Sequence, residues 1–271
     1  MPPARRSRLG GRRQAALALA VLVVVAVVIL VLTSSSSPPI GYDISYPQCS
    51  ASYPSNPLFA IVGVNGGLAS NTNPCVAGEL SWARATPGQR RPRQPRVSLY
   101  IDTGDPGAKA ATWPKGGKAP RYGACNGLLT NACSYLYGEQ RAEHSYGVIA
   151  ALSASDAGTA AWWLDVELKE SWAGTYELNI AALRGFVAGL RNAGATGTVG
   201  VYSTSAQWQE LTGLTAQTTT AAFAQQLADW VAGVGTLAEA RQNCSDGDFT
   251  GVAPTLAQYQ AGGFDADLRC G

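Results

Sequence analysis

Apolar residues recur along this chain in short runs, and between many of these runs they return at every third or fourth position instead. The short runs are Gly41 to Ser45, Phe59 to Asn65, Val97 to Asp102, Ala161 to Glu167, Val199 to Ser203, Ala228 to Ala232, Thr255 to Gln260 and Phe264 to Leu268, eight strand candidates in all. Helical spacing marks Cys75 to Ala85, Asn131 to Leu152, Tyr176 to Ala193 and Thr236 to Asn243. Strands alternating with helices predict a parallel sheet with helices outside it, and eight strands predict closure into an irregular (β/α) TIM-like barrel of the α/β class. The last two strand candidates stand too close together to enclose a helix. An antiparallel closure is expected there, because a hairpin-length connection joins antiparallel neighbours. No internal repeat is visible.

One apolar run is of another kind. Ala15 to Leu32 contains no charge, Gly or Pro, and Arg5, Arg6, Arg8, Arg12 and Arg13 precede it. About 20 apolar residues span a hydrocarbon core, and arginines stay on the cytoplasmic side. The pattern predicts a cytoplasmic basic head at 1–14, a transmembrane signal anchor at 15–32, a Ser/Pro linker at 33–39 and a folded extracytoplasmic domain at 40–271. The expected location is the plasma membrane, as a single-pass protein. A cleaved signal peptide with secretion is the rival, but Val31-Leu32-Thr33 offers no small-x-small cleavage site.

Composition sharpens this division. Only 14% of the residues are charged and 46% are hydrophobic, which suits a buried core and excludes a disordered chain. The formal charge of +2 is 20 basic against 18 acidic residues; without the five arginines of the head it becomes 15 against 18, or −3. Nothing basic remains to recruit nucleic acid. Thr86 to Arg96, with Arg90, Arg91, Arg93 and Arg96 among prolines, reads as an exposed loop: a solvated surface, or a contact for anionic wall polymers or lipid headgroups.

All six cysteines follow the apolar run, on the side where disulfides form. Of the 15 possible pairings, the sequence-local set is favoured: Cys49 with Cys75, Cys125 with Cys133 and Cys244 with Cys270. No Cys-x-x-Cys exists and the sole histidine is His144, on a helical stretch, so no metal or other cofactor is implied.

The chemistry concentrates where Ala161-Trp162-Trp163-Leu164-Asp165-Val166-Glu167 ends in two carboxylates. On a strand, positions two apart share a face at about 6.6 Å, which would project Asp165 and Glu167 together from the C-terminal mouth of a barrel. Paired acids in a partly dry site push one pKa up, as a general acid requires; the alternative is a solvated pair at the rim. Asp43 ends the first strand candidate and Asp265 lies in the last, so in a closed barrel all four acids converge with no compensating Lys or His. Tyr42, Tyr46, Tyr100, Trp163, Tyr202, Trp230 and Tyr259 lie near the same ends and could offer flat faces to sugar rings, or simply fill the barrel.

Gly41-Tyr42-Asp43-Ile44-Ser45 resembles the first-strand motif of the family 25 glycoside hydrolases (lysozymes or muramidases), and Asp165-Val166-Glu167 is similar to their Asp-x-Glu. Val201-Tyr202-Ser203, Trp230-Val231-Ala232, Gln258-Tyr259 and Asp265 resemble later segments of that family, in order. The resemblance spans nearly all of residues 40 to 270. It implies cleavage of N-acetylated peptidoglycan strands, with Glu167 as general acid/base, Asp165 orienting the substrate's acetamido group, and Asp43 and Asp265 shaping the cleft. The acetamido oxygen would serve as nucleophile, or Asp265 would.

Departures from the family are Leu168-Lys169-Glu170-Ser171-Trp172 after the acids, Asp102 after the third strand, and the extra cysteines. These suggest a divergent, actinobacterial, membrane-anchored branch. Because fold and function separate easily, a noncatalytic tethered wall-binding domain is the alternative, and a chitinase-like glycosidase a third. Lys169 reads as solvated, with the capacity to lower the pKa of Glu167. A monomer is expected, with peptidoglycan and the membrane as partners. No Gly-x-Ser-x-Gly elbow or phosphate loop points elsewhere.

Overall fold

In the computed structural model the described residues are 40–55, 57–86, 97–172 and 174–271. The apolar run 15–32, its flanks and the arginine-rich 87–96 segment lie outside them. Among the described residues no helix is long and apolar enough to cross a membrane.

The chain runs β1 (Ile40–Ile44), β2 (Ala60–Gly63), α1 (Val76–Ala85), β3 (Ser98–Asp102), a small hairpin of β4 (Lys118–Ala119) and β5 (Gly123–Ala124), α2 (Asn131–Leu152), α3 (Ala154–Thr159) and β6 (Ala161–Asp165). It continues through α4 (Tyr176–Ala193), β7 (Val199–Ser203), α5 (Ser205–Thr212), α6 (Ala216–Phe223), β8 (Ala228–Val231), α7 (Leu237–Asp246), β9 (Leu256–Ala261) and β10 (Phe264–Arg269). The strands close a barrel in the order β1-β10-β9-β8-β7-β6-β3-β2. From β1 through β2, β3, β6, β7 and β8 to β9 neighbours are parallel, and β10 is antiparallel to both β9 and β1. The expected barrel and its antiparallel closure are both present. Short helices α3, α5 and α6 and the β4–β5 hairpin are additions too brief for periodicity to reveal.

Alternation along each strand divides two layers. One set of side chains, including Leu99, Ile101, Trp162, Leu164, Val199 and Val201, packs under the helices. The other, Phe59, Ile61, Trp163, Trp230 and Leu256 with Tyr100 and Tyr202, fills the barrel. Glycines make room for these rings. A Cβ on Gly41 would meet the Phe59 ring at 2.3 Å, and one on Gly200 the Trp163 ring at 2.3 Å.

Outside the barrel, α2 and α4 lie so close that a Cβ on Gly138 would fall 2.0 Å from the Ala182 carbonyl oxygen, and one on Gly185 2.0 Å from that of Tyr135. Thr130 caps α2 by accepting from the Cys133 amide, and Gly194, in the left-handed region at φ 116°, ends α4. Disulfides join Cys49 to Cys75, Cys125 to Cys133 and Cys244 to Cys270, the sequence-local set.

Candidate active site

The parallel strands all deliver their C-terminal ends to one mouth, where barrels of this kind gather their chemistry. Asp43, Asp102 and Asp165 stand on β1, β3 and β6 there, and the antiparallel β10 begins there with Asp265, which pairs directly with Asp43 across the β1–β10 ladder. A cavity of about 100 Å3 is lined by Asp43, Tyr100, Asp165, Tyr202, Gln258 and Asp265 with Trp230 and Lys169, and a cleft of about 370 Å3 adjoins it, bordered by Tyr46, Gly67, Asp102 and Glu170.

The strand carrying the acids stops sooner than alternation predicts. β6 ends at Asp165; Val166 makes one more link, its amide donating to the Tyr202 carbonyl at 2.9 Å, and a turn follows in which the Glu170 amide donates to the Glu167 carbonyl at 3.1 Å. Glu167 therefore reaches the mouth from a loop, and it lines neither cavity wall. Its backbone is nevertheless fixed: Trp172 Nε1 donates to the Glu167 carbonyl at 2.8 Å, and the next amide, of Leu168, donates to Gln207 Oε1 at 2.8 Å.

The expectation of uncompensated acids is overturned by Lys169. Its ammonium pairs with Glu167 and lies 3.7 Å from Asp165 Oδ2, although its side chain stays 64% exposed. The other Asp165 oxygen has no hydrogen-bond partner. Carboxylate oxygens of Asp102, Asp165 and Glu170 lie within 4.8 Å of one another, close enough to share a cation, and Lys169 already brings positive charge to them.

Burial governs the protonation of this cluster. It pushes Asp102 up to about 6 against the lowering charge of Lys169, and Glu170 up to about 7 with help from Asp102. Asp165 is pushed well above the usual carboxylate range by burial and then by the Glu167 charge. Asp43 is raised to about 8 by burial and the Asp265 charge, although Gln258 Nε2 donates to its Oδ2 at 3.0 Å. Gln258 in turn accepts from the Tyr202 hydroxyl at 2.7 Å.

Below this layer Asp267 is fully buried, takes the Trp230 Nε1 hydrogen bond at 2.8 Å, and feels the charge of Asp43. Burial and the Asp43 charge drive its pKa well up. Two neighbouring buried carboxyls resist ionising together.

Of the aromatic candidates, Tyr100, Tyr202 and Trp230 line the cavity, with the Tyr202 and Trp230 rings 4.5 Å apart, and Tyr46 borders the cleft. Trp163 is buried in the barrel filling at 2% exposure and offers no face to a ligand. Tyr42 and Tyr259 belong to the layer beneath the helices. Strand parity explains both: where Asp43 and Gln258 point inward, their neighbours must point outward. His144 lies exposed on α2, its Nε2 3.4 Å from the Thr72 hydroxyl.

Sequence reasoning passed over Asp267 and Glu170; it read Lys169 as solvated and able to act on Glu167, and the side chain is 64% exposed with its ammonium paired to Glu167. Asp267 carried a usable signal, its two-residue spacing from Asp265. The turn that folds Lys169 back had none.

Residues 129–254 match the sequence model of the family described as Lysozyme-like protein 1. No curated protein matches the chain by sequence. Among solved structures, a muramidase from Trichobolus zukalii is similar at 18% identity and a TM-score of 0.51, with 86% of this chain and 93% of that one covered. The bacterial lysozyme of Streptomyces coelicolor gives 17% identity and a TM-score of 0.47 over 88% and 94%. The matched stretch is lysozyme-like in sequence, and the barrel is muramidase-like in fold.

Proposed function

We propose that this lysozyme-like barrel hydrolyses the N-acetylated glycan strands of peptidoglycan, as a divergent member of the family 25 glycoside hydrolases anchored to the plasma membrane through residues 15–32. The observation that carries the reading is the meeting of Asp165 and Glu167 at the C-terminal mouth, beside Asp43 and Asp265 and above the Tyr202 and Trp230 rings. The lysozyme-like match over 129–254 supports it, since that stretch contains both acids.

The roles follow from position. Glu167, on the rim, protonates the glycosidic oxygen as the bond to the leaving sugar breaks. Asp165, deeper and carrying an unpartnered oxygen, accepts the substrate's acetamido N–H and turns the acetamido oxygen toward the anomeric carbon, which it attacks to close an oxazoline ring. Water then opens the ring, losing its proton to Glu167. Asp165 and Glu167 meet at one Lys169 ammonium and so stand on the same side of a sugar ring, which leaves the nucleophile to the substrate. Lys169, long and exposed, leaves Glu167 as the sugar enters.

The Lys169 ion pairs also favour a second reading, a tethered domain that binds wall glycan without cutting it. One experiment decides. Reducing-sugar release from purified peptidoglycan is measured with the full chain and its Glu167→Gln variant; release that vanishes in the folded variant supports the hydrolase, and release from neither, with retained pelleting on the wall, supports the binder.

A further inference from the structure

The disulfide between Cys49 and Cys75 differs from the other two in what surrounds it. Cys49 is the sole exposed half-cystine, whereas Cys133 is fully buried and Cys125 nearly so. Cys49 closes the short turn Tyr46–Gln48, whose residues border the acidic cleft, and Cys75 stands at the N-cap of α1. An attacking thiolate can therefore reach Cys49 and make Cys75 the departing sulfur, at a helix start whose free amides favour the negative charge it takes up.

An independent feature lies beside that sulfur. Cys75 Sγ is 3.1 Å from Glu79 Oε1 and 3.1 Å from Asn73 Oδ1. A disulfide sulfur carries no hydrogen, so neither oxygen accepts one from it while the bond is closed. Asn73 is fixed: its Nδ2 donates to the Gly63 carbonyl at 2.8 Å and to Glu79 Oε2 at 2.6 Å, and its Oδ1 accepts from the Cys75 amide at 3.0 Å. Glu79, wholly buried, is thus held with its other oxygen toward the sulfur. Burial pushes this carboxyl up to about 7 against the lowering Asn73 hydrogen bond, which keeps a proton available there near neutral pH. The other bonds present their sulfurs to backbone instead, Cys125 Sγ at 3.5 Å from the Pro114 carbonyl and Cys270 Sγ at 4.0 Å from that of Leu268.

We propose that Cys49–Cys75 is a thiol–disulfide exchange site for a dithiol reductant, with Glu79 as the proton donor to the departing Cys75. One thiolate of the dithiol attacks Cys49 Sγ; a mixed disulfide forms as the Cys49–Cys75 bond breaks, and the electron pair leaves on Cys75 Sγ, which takes the Glu79 proton. The second thiol then attacks its own sulfur in the mixed disulfide, and its proton passes to Cys49. The dithiol is oxidised to a disulfide, the chain gains two electrons and two protons, and Glu79 recovers from water the proton that the first thiol released. The new Cys75 thiol donates to Asn73 Oδ1 or Glu79 Oε1, the contacts that the closed bond leaves unused. Reduction also unties the turn at the edge of the cleft from α1.

The test follows bond opening in the full chain under native conditions with dithiothreitol. Thiols are trapped over time with iodoacetamide and located by peptide mass. At pH 6 Cys49 and Cys75 are expected to label about tenfold faster than the other four cysteines, and Glu79→Gln should slow them about tenfold, a modest factor for a proton donor because a thiolate leaves tolerably unaided. By pH 9 Glu79 is ionised and the two rates should converge, which a loss of packing alone would not produce; ionisation of the reductant is common to both and cancels. Early labelling of Cys133 marks a variant that has unfolded. The wild-type rate per dithiothreitol thiolate needs no variant and should fall by the same factor through about pH 7. Equal opening of all three bonds, or a flat wild-type profile, overturns the proposal.

Discussion

The ammonium of Lys169 lies 3.7 Å from the Asp165 carboxylate, four residues back along the chain, across the turn that ends β6. It is the cation by which the mouth tolerates so many acids, since its charge holds Asp102 and Glu170 down against burial. Lys169→Met should therefore destabilise the barrel by about 1 kcal/mol, a figure kept small because the ammonium is solvated. The loss should be largest at pH 8 and least at pH 5, where Asp102 and Glu170 bind protons. Denaturant midpoints at the two pH values check it.

Turnover should depend on the two acids unequally from the remaining pair. Glu167→Gln and Asp165→Asn should each lower kcat on peptidoglycan by about 10²- to 10⁴-fold, the range for a positioned proton donor or substrate-orienting group. Asp265→Asn, at the edge of the cavity, should act mainly on KM. Steady-state kinetics on solubilised glycan separates these outcomes, with circular dichroism confirming the fold.

Stability should fall as pH rises from 5 to 8. Burial raises Asp43 to about 8, Glu79 and Glu170 to about 7, and Asp102, Asp105 and Asp229 to about 6. A carboxyl with its folded pKa above its unfolded value contributes fully below the unfolded value and loses that contribution as pH passes the folded one. Glu79, fully buried with Asn73 Nδ2 donating to it at 2.6 Å, lies apart from the mouth, so Glu79→Gln should flatten the slope without touching activity. Tm against pH for both proteins tests this.

The seam between α2 and α4 admits no side chain. Gly138→Ala should lower stability by about 3 kcal/mol, because the added carbon meets backbone that cannot rotate away. Gly147→Ala, on the same helix with open space around it, should be neutral or slightly stabilising. Thermal melts of the two variants make the comparison.

Trp230→Phe keeps a ring in the barrel but strips Asp267 of its indole donor. An unsatisfied buried acceptor costs about 1–3 kcal/mol, and here the loss should grow with pH as the Asp43–Asp267 pair is forced to ionise. Urea titrations at pH 5 and pH 8 would reveal it.

Much of this was legible in the sequence. The apolar runs located every barrel strand, and the short gap before β10 predicted its reversed direction. The acids of β1, β6 and β10 were found because each ends or begins a strand at one pole of the barrel. Failures came where a side chain's direction depends on more than its neighbourhood. Tyr42 and Tyr259 were assigned to the mouth by proximity, yet alternation turns them outward once Asp43 and Gln258 face in. The second contact of Lys169, with Asp165 four residues back, had no periodic signal, since only the folded turn after β6 creates it.

β10 lies between β1 and β9, and Asp43 faces Asp265 across that junction. A chain made from its N-terminus onward must thus keep the free edge of β1 unpaired until the final strand arrives, a long-range closure of the slow, aggregation-exposed kind. The Cys244–Cys270 bridge then fastens α7 to the residue just beyond β10. A copy interrupted before that strand lacks both the closed wall and one of the four acids. The acidic cleft thus exists only once β10 has been made and paired on both its edges.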